Sequence, residues 1–131
     1  MSDIVLFSNS DSLLANFEKI LPNEQHNIFF TTSVDECMKK LYSQNIDGVI
    51  IDYSADVDLA SLARKIKIVG KKRLPFVLLY APSDYENELL FRYIDGFITK
   101  GCSKSQVNAL IHSALKIEKN IKHNKIIFKN S

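Results

Sequence analysis

The stretch Ile46-Asp47-Gly48-Val49-Ile50-Ile51-Asp52 decides the reading of this chain: an apolar run that closes on a single acid. A continuous apolar run, rather than an alternating one, is what a strand covered on both faces requires, and it marks a parallel sheet sandwiched by helices. A second run, Tyr93-Ile94-Asp95-Gly96-Phe97-Ile98-Thr99-Lys100, closes on a base. The carboxyl ends of parallel strands share one edge, so Asp52 and Lys100 are expected to meet in one crevice there.

Five apolar segments recur along the chain: Ile4-Val5-Leu6-Phe7, Ile28-Phe29-Phe30, Val49-Ile50-Ile51, Phe76-Val77-Leu78-Leu79 and Phe97-Ile98. Amphipathic stretches separate them. Leu13, Leu14, Phe17 and Leu21 fall at helical spacing after Asp11, and Pro22 ends that segment. Further helices are predicted from Val34 to Ser43, from Leu59 to Val69 with Gly70 as the stop, and from Asp84 to Arg92. The last helix follows Ser103 and places Val107, Leu110, Ile111, Ala114, Ile117 and Ile121 on one stripe. That stripe is longer than packing on such a sheet demands, so its outer half is expected to meet a partner. Ser33 with Glu36, Ser83 with Glu86 and Ser103 with Gln106 each have the spacing of a capping box.

The composition describes an ordinary globular chain: 131 residues, 46% apolar, 24% charged, four Gly and three Pro. One domain is expected over residues 1–122, with 123–131 a basic tail or the start of a linker. No stretch approaches the roughly 18 apolar residues of a membrane span. Residues 1–15 carry Asp3 and Asp11 and no Lys or Arg, unlike a secretory signal, so a cytoplasmic location is expected. Cys37 and Cys102 form no Cys-x-x-Cys pattern and read as two reduced thiols, with a lowered pKa at Cys102, beside Lys100, as the weaker reading.

The formal charge of +2 hides an asymmetry. Residues 1–99 carry ten Lys or Arg against fourteen Asp or Glu, whereas residues 100–131 carry seven Lys against Glu118 alone. A basic tail can bind nucleic acid, but this one has a single aromatic, Phe128, and no Arg to stack on or grip a base. It reads as a solvated face, as does the basic run Arg64-Lys65-Ile66-Lys67 with Lys71-Lys72-Arg73. The fate of Lys125-Ile126-Ile127-Phe128-Lys129, packed back on the core or leading onward, stays open. His26, His112 and His123 fit no Ser-His-Asp or Cys-His constellation, and an enzyme is not expected.

Five βα units of this size, with an acid ending the third strand and a Lys ending the fifth, resemble the receiver domain of two-component response regulators over residues 3–122. The stretches that carry the resemblance are Ile46 to Tyr53, the Pro-led Leu74-Pro75-Phe76-Val77-Leu78-Leu79-Tyr80-Ala81, and Ile94 to Lys100. It implies a flavodoxin-like doubly wound α/β fold, (βα)5, with five parallel strands in the order 2-1-3-4-5. It also implies that Asp52 holds the phosphoacceptor place, Lys100 the place of the Lys that pairs with the phosphoryl group, and Tyr80 and Phe97 the two switch places. For Phe97 alone, plain core is the simpler reading.

The departures from the pattern matter as much. Receivers end their first strand with two acids that hold Mg²⁺; here Ser8 and Asn9 stand there. They end strand four with Ser or Thr, where this chain has Tyr80, and follow the Lys with Pro, where it has Gly101. Mg²⁺ prefers hard, charged oxygens, so a hydroxyl and an amide in place of two carboxylates should leave Asp52 and Asn9 a weak metal site at best. Asp11 is close in sequence but reads as a helix cap. Without the acids, Asp52 is expected to face Lys100 as an ion pair. Tyr80 either fills the space a phosphoryl group would take or swings outward.

Three functions follow. The leading one is a degenerate receiver that signals by protein contact, with a histidine kinase or an output domain as partner and a homodimer through the fourth helix, fifth strand and last helix as an option. The second is a phosphoacceptor modified at Asp52 by a histidine kinase despite weakened Mg²⁺ binding. The third is a flavodoxin-like binder of a small ligand, because Ser8-Asn9-Ser10-Asp11-Ser12 is a hydroxyl-rich loop leading into a helix. That loop lacks the Gly that lets backbone approach a phosphate, and no Walker or dinucleotide pattern occurs.

Overall fold

The computed structural model describes residues 2–9, 19–20, 24–69 and 74–116. Five strands, β1 (Ser2–Phe7), β2 (His26–Thr31), β3 (Gly48–Asp52), β4 (Phe76–Ala81) and β5 (Gly96–Thr99), form one sheet in the order β2-β1-β3-β4-β5. Every pairing is parallel. The helices are α1 (Val34–Ser43), α2 (Leu59–Val69), α3 (Glu88–Phe91) and α4 (residues 104–116).

Successive strand side chains point to opposite faces, and both faces are covered. Val5, Phe7, Val49, Ile51, Val77 and Leu79 pack beneath α1, α2 and α3 with Cys37, Leu62, Ile66 and Leu90. Ile4, Leu6, Ile50, Phe76, Leu78 and Ile98 pack against Val107, Ile111 and Ala114 of α4. This double coverage is why the strands read as unbroken apolar runs. All six residues of β4 are buried, as are all five of β3.

Two Asp-Gly pairs clamp the amino edge of the sheet. Asp47 accepts from the Asp3 backbone N–H at 2.9 Å, and Asp95 accepts from the Val77 N–H at 2.8 Å. Each carboxylate thus serves a donor at the start of the neighbouring strand, which would otherwise face a buried edge without a partner. Asp95 is also paired with Lys67 at 2.6 Å.

Helices α1 and α2 have the predicted bounds, but α3 does not. It begins at Glu88 rather than Asp84, and its cap is Asn87, whose side-chain oxygen accepts from the Leu90 N–H at 3.1 Å. Ser83 lies in a turn closed by the Tyr85 N–H on the Pro82 carbonyl, 3.1 Å. The Tyr85 ring stands edge-on between Tyr53 and Phe91, at 5.4 and 6.3 Å, and this packing holds the turn where a capping box was expected. The box at Ser103 is complete, with Ser103 N–H to Gln106 Oε1 at 2.8 Å and Gln106 N–H to Ser103 Oγ at 3.3 Å. At Ser33 only one half forms: its hydroxyl accepts from the Glu36 N–H at 3.0 Å, while the Glu36 carboxylate turns to the Thr31 hydroxyl at 3.0 Å.

The predicted helix from Asp11 to Leu21 (save Lys19 and Ile20), its Asp11 cap, the Gly70 stop, Lys71 to Arg73, Ile117, Ile121 and the tail 123–131 lie outside the described residues. Among the described residues no helix is long and apolar enough to cross a membrane.

Both cysteines are free. Burial pushes the Cys37 thiol up to about 11, whereas Cys102 is half-buried with its sulfur 3.4 Å from the Thr99 hydroxyl. Because the thiolate is the reactive form, a disulfide reagent at pH 8 should titrate Cys102 in the native protein and reach Cys37 only after denaturation. Two thiols reacting at equal rates in the native state would contradict the placement of Cys37 in the core.

Candidate functional site

The register carries the site. Asp52 pairs with Tyr80, and Tyr80 pairs with Ile98. Leu6, Ile50, Leu78 and Ile98 all point to the α4 face, so the alternation brings Ser8, Asp52 and Tyr80, each two residues further along, to the same face at the carboxyl edge.

Asp52 is fully buried, and its carboxylate is filled by local donors. The Ser8 hydroxyl donates to Oδ2 at 2.8 Å. The Ser54 N–H donates to Oδ1 at 3.0 Å, and the Ser54 hydroxyl lies 2.9 Å from both oxygens. Ser8 is itself 1% exposed, its backbone N–H tied to the Thr31 carbonyl at 3.1 Å. A carboxylate held by hydroxyls and a backbone N–H is a satisfied buried group.

Lys100 does not pair with Asp52. Its ammonium donates to the Tyr53 hydroxyl at 3.2 Å and lies 5.0 Å over the Tyr53 ring, exposed at the rim. This hydrogen bond holds the Lys100 pKa above its ordinary value. The expected ion pair fails for a physical reason: burying an ammonium beside Asp52 carries a desolvation penalty, the carboxylate already has its donors, and Tyr53 offers a hydroxyl and a π face that leave the charge in water.

Of the two orientations open to Tyr80, the structure has the inward one. The side chain is 8% exposed and packs with the core of the α4 face, and burial raises its pKa. Asn9 ties loops together: its amide donates to the Thr32 carbonyl at 2.8 Å and its oxygen accepts from the Asp56 N–H at 2.6 Å. Phe97 is not core. It is 42% exposed on β5 and stands edge-to-face with Phe91 at 5.0 Å, because the four-residue α3 is too short to cover that face. Gly101, where receivers carry Pro, has φ of 98°, a value a Pro ring cannot adopt. Ser10 and Ser12 of the hydroxyl-rich loop lie outside the described residues.

Sequence reasoning missed Tyr53 and Ser54. For Ser54 a signal existed: Asp followed two residues on by a backbone donor is the spacing of an Asx-turn. Tyr53 had none. Among the described residues no group of three or more His, Cys, Asp or Glu gathers as a metal site.

No family model matches the chain, and neither does any curated protein. Solved structures do match. The receiver domain of a sensor histidine kinase from Pseudomonas aeruginosa, described with a magnesium ion coordinated in its active-site cleft, superposes with a TM-score of 0.72 at 13% identity, covering 88% of this chain and 98% of that one. The signal receiver domain of an HD domain-containing protein from Pseudomonas fluorescens gives 0.74 at 16% identity, over 93% and 92%. A chemotaxis response regulator of Vibrio cholerae gives 0.72 at 11% identity, over 87% and 98%. The chain has the receiver fold. The order of its strands is the flavodoxin-like one that the resemblance implied, and in this receiver fold Asp52 ends β3 and Lys100 directly follows β5.

Proposed function

We propose that this chain is a cytoplasmic receiver-type signalling module, residues 1–122 with a basic tail or linker after them, that acts by protein contact while phosphoryl transfer to Asp52 is weak or absent. One observation carries the reading: the Asp52 carboxylate is taken up by Ser8 and Ser54 while Lys100 is engaged with Tyr53. The donor set also fits Mg²⁺ poorly. That ion takes charged oxygens at about 2.0–2.1 Å in octahedral array; here one carboxylate is hydrogen-bonded on both oxygens, and the Asn9 oxygen is committed to Asp56. Ser8 and Asn9 stand as degenerate acidic-pair positions, Tyr80 and Phe97 as the switch positions. No catalytic role is assigned to the chain.

The partner is a protein, a histidine kinase or an output domain, rather than a membrane or nucleic acid. Support comes from the aromatic contacts that run from Tyr53 through Tyr85 and Phe91 to Phe97. They link the rim of the Asp52 site to a surface where Phe97 and Leu89, 62% exposed, are open. The same α3, β5 and α4 surface is the candidate for self-association.

Incubation with acetyl phosphate, or with beryllofluoride, in the presence of Mg²⁺ tests the reading. The expected result is little or no adduct by intact mass. Stoichiometric modification that disappears in Asp52→Asn would overturn it in favour of a working phosphoacceptor.

A further inference from the structure

The amino edge of the sheet, opposite the edge that carries Asp52, holds a group of side chains that the receiver reading does not use. His26 is the first residue of β2 and is 4% exposed. Its Nε2 lies 2.9 Å from Asn108 Oδ1. The Asn108 amide nitrogen in turn donates to Gln25 Oε1 at 2.7 Å, with the carboxamide oxygen toward the histidine. An oxygen accepts, so Nε2 is the protonated nitrogen and the neutral ring presents a bare lone pair at Nδ1. That Nδ1 is buried and no donor among the described residues reaches it.

An orphaned buried acceptor is uncommon and calls for a reason. The neighbouring side chain supplies one. His112, one helical turn beyond Asn108 on α4, sets its ring against His26 with centroids 5.6 Å apart at 62°. Two imidazoles bound to one tetrahedral ion at about 2.0–2.1 Å place their centroids on the order of 5–6 Å apart. Metal-ligating histidines also characteristically donate their other ring N–H to a carbonyl or carboxylate, which fixes the tautomer and orients the ring. Asn108 holds His26 in that way before any ion is present. His112 is exposed and can turn, so the buried ring has a mobile imidazole beside it.

We infer that His26 and His112 form a two-histidine site for a borderline divalent transition-metal ion such as Zn²⁺, Ni²⁺ or Cu²⁺, with His26 binding through Nδ1, Asn108 as its positioning residue, and water completing the coordination. Imidazole nitrogens select these ions over Mg²⁺ and Ca²⁺, which take oxygen ligands. Two protein ligands make a modest site, and binding is independent of whether Asp52 accepts phosphate.

The test uses the untagged full chain with Zn²⁺ or Ni²⁺ alone. Calorimetry should find one ion per chain, and strong acid should release it because metal ligands must be deprotonated. His112→Ala, at an exposed position, should weaken binding at least tenfold with the circular dichroism unchanged, and Asn108→Ala should weaken it by about 10- to 100-fold. Sub-stoichiometric Ni²⁺ should broaden the ring resonances of His26 and His112 first, a readout that a purely structural Asn108 or His26 would not produce. Absence of binding, binding indifferent to His112→Ala, or broadening centred on His123 would each overturn the assignment. Asp52→Asn should leave the affinity unchanged.

Discussion

Ser8→Asp should lower stability by about 3 kcal/mol in EDTA and regain most of that loss in Mg²⁺. In the native chain the Ser8 hydroxyl donates to a fully buried carboxylate, and Ser8 is itself buried. The substitution removes a hydrogen bond to a charged group, about 1.5–3 kcal/mol, and sets a second carboxylate against the first with no cation between them. For a domain of this size the melting temperature should fall by roughly 10 °C. Two adjacent acids also recreate the hard-oxygen ligand set that Mg²⁺ favours. An ion at 100 times its Kd stabilises by about 2.7 kcal/mol, whereas one below its Kd contributes under about 0.4 kcal/mol. Thermal unfolding with and without Mg²⁺ should therefore show a large shift for Ser8→Asp and almost none for wild type. Equal shifts in the two proteins would mean that the native site already holds the ion.

The parts of the fold that were legible are those with a strong period. Val49-Ile50-Ile51 and Phe76 to Leu79 announced strands covered on both faces, and α1 and α2 carried caps or stops beside a clear helical stripe. Helix α3 was misplaced because Ser83 and Asn87 are equally good caps by type, and a four-residue helix has too few apolar positions to choose between them. The choice was made by Tyr85, whose ring contacts bring together residues far apart in sequence.

At the site, strand ends told which residues arrive and not how they pair. The positions of Ser8, Asp52 and Tyr80 follow from register and alternation. The partner of Lys100 does not, because its long side chain reaches several acceptors and the winner is set by desolvation: Tyr53 at the rim rather than Asp52 in the interior. Phe97 illustrates the same limit. Alternation places it opposite Ile98, but whether that face is covered depends on the length of α3.

Gly48→Ala should be the most damaging single-methyl change in the sheet. Gly48 opens β3, with Ile4 of β1 on one side and Phe76 of β4 on the other. A Cβ built there runs into the Phe76 ring itself rather than into the end of a flexible chain. Phe76 is 1% exposed and packed within the α4-side core, so the ring has no empty volume to move into. Overpacking of this kind typically costs about 1–3 kcal/mol, sometimes more; with three ring atoms obstructed, the upper end, about 3 kcal/mol and roughly 10 °C in Tm, is expected. The gain of about 0.4–1 kcal/mol from a stiffer unfolded chain offsets only part of it. Gly96 is the internal control: a Cβ there meets one terminal methyl of Leu78 at 3.2 Å, which a small rotation relieves. Gly96→Ala should therefore stay close to wild type, and Phe76→Leu should be less destabilising in the Gly48→Ala background than alone, since it removes the obstructing ring atoms. Denaturant unfolding of the four variants measures that coupling directly. A Gly48→Ala protein as stable as Gly96→Ala would show that the ring yields freely. It would also remove the reason for glycine at the head of the strand whose other end presents Asp52.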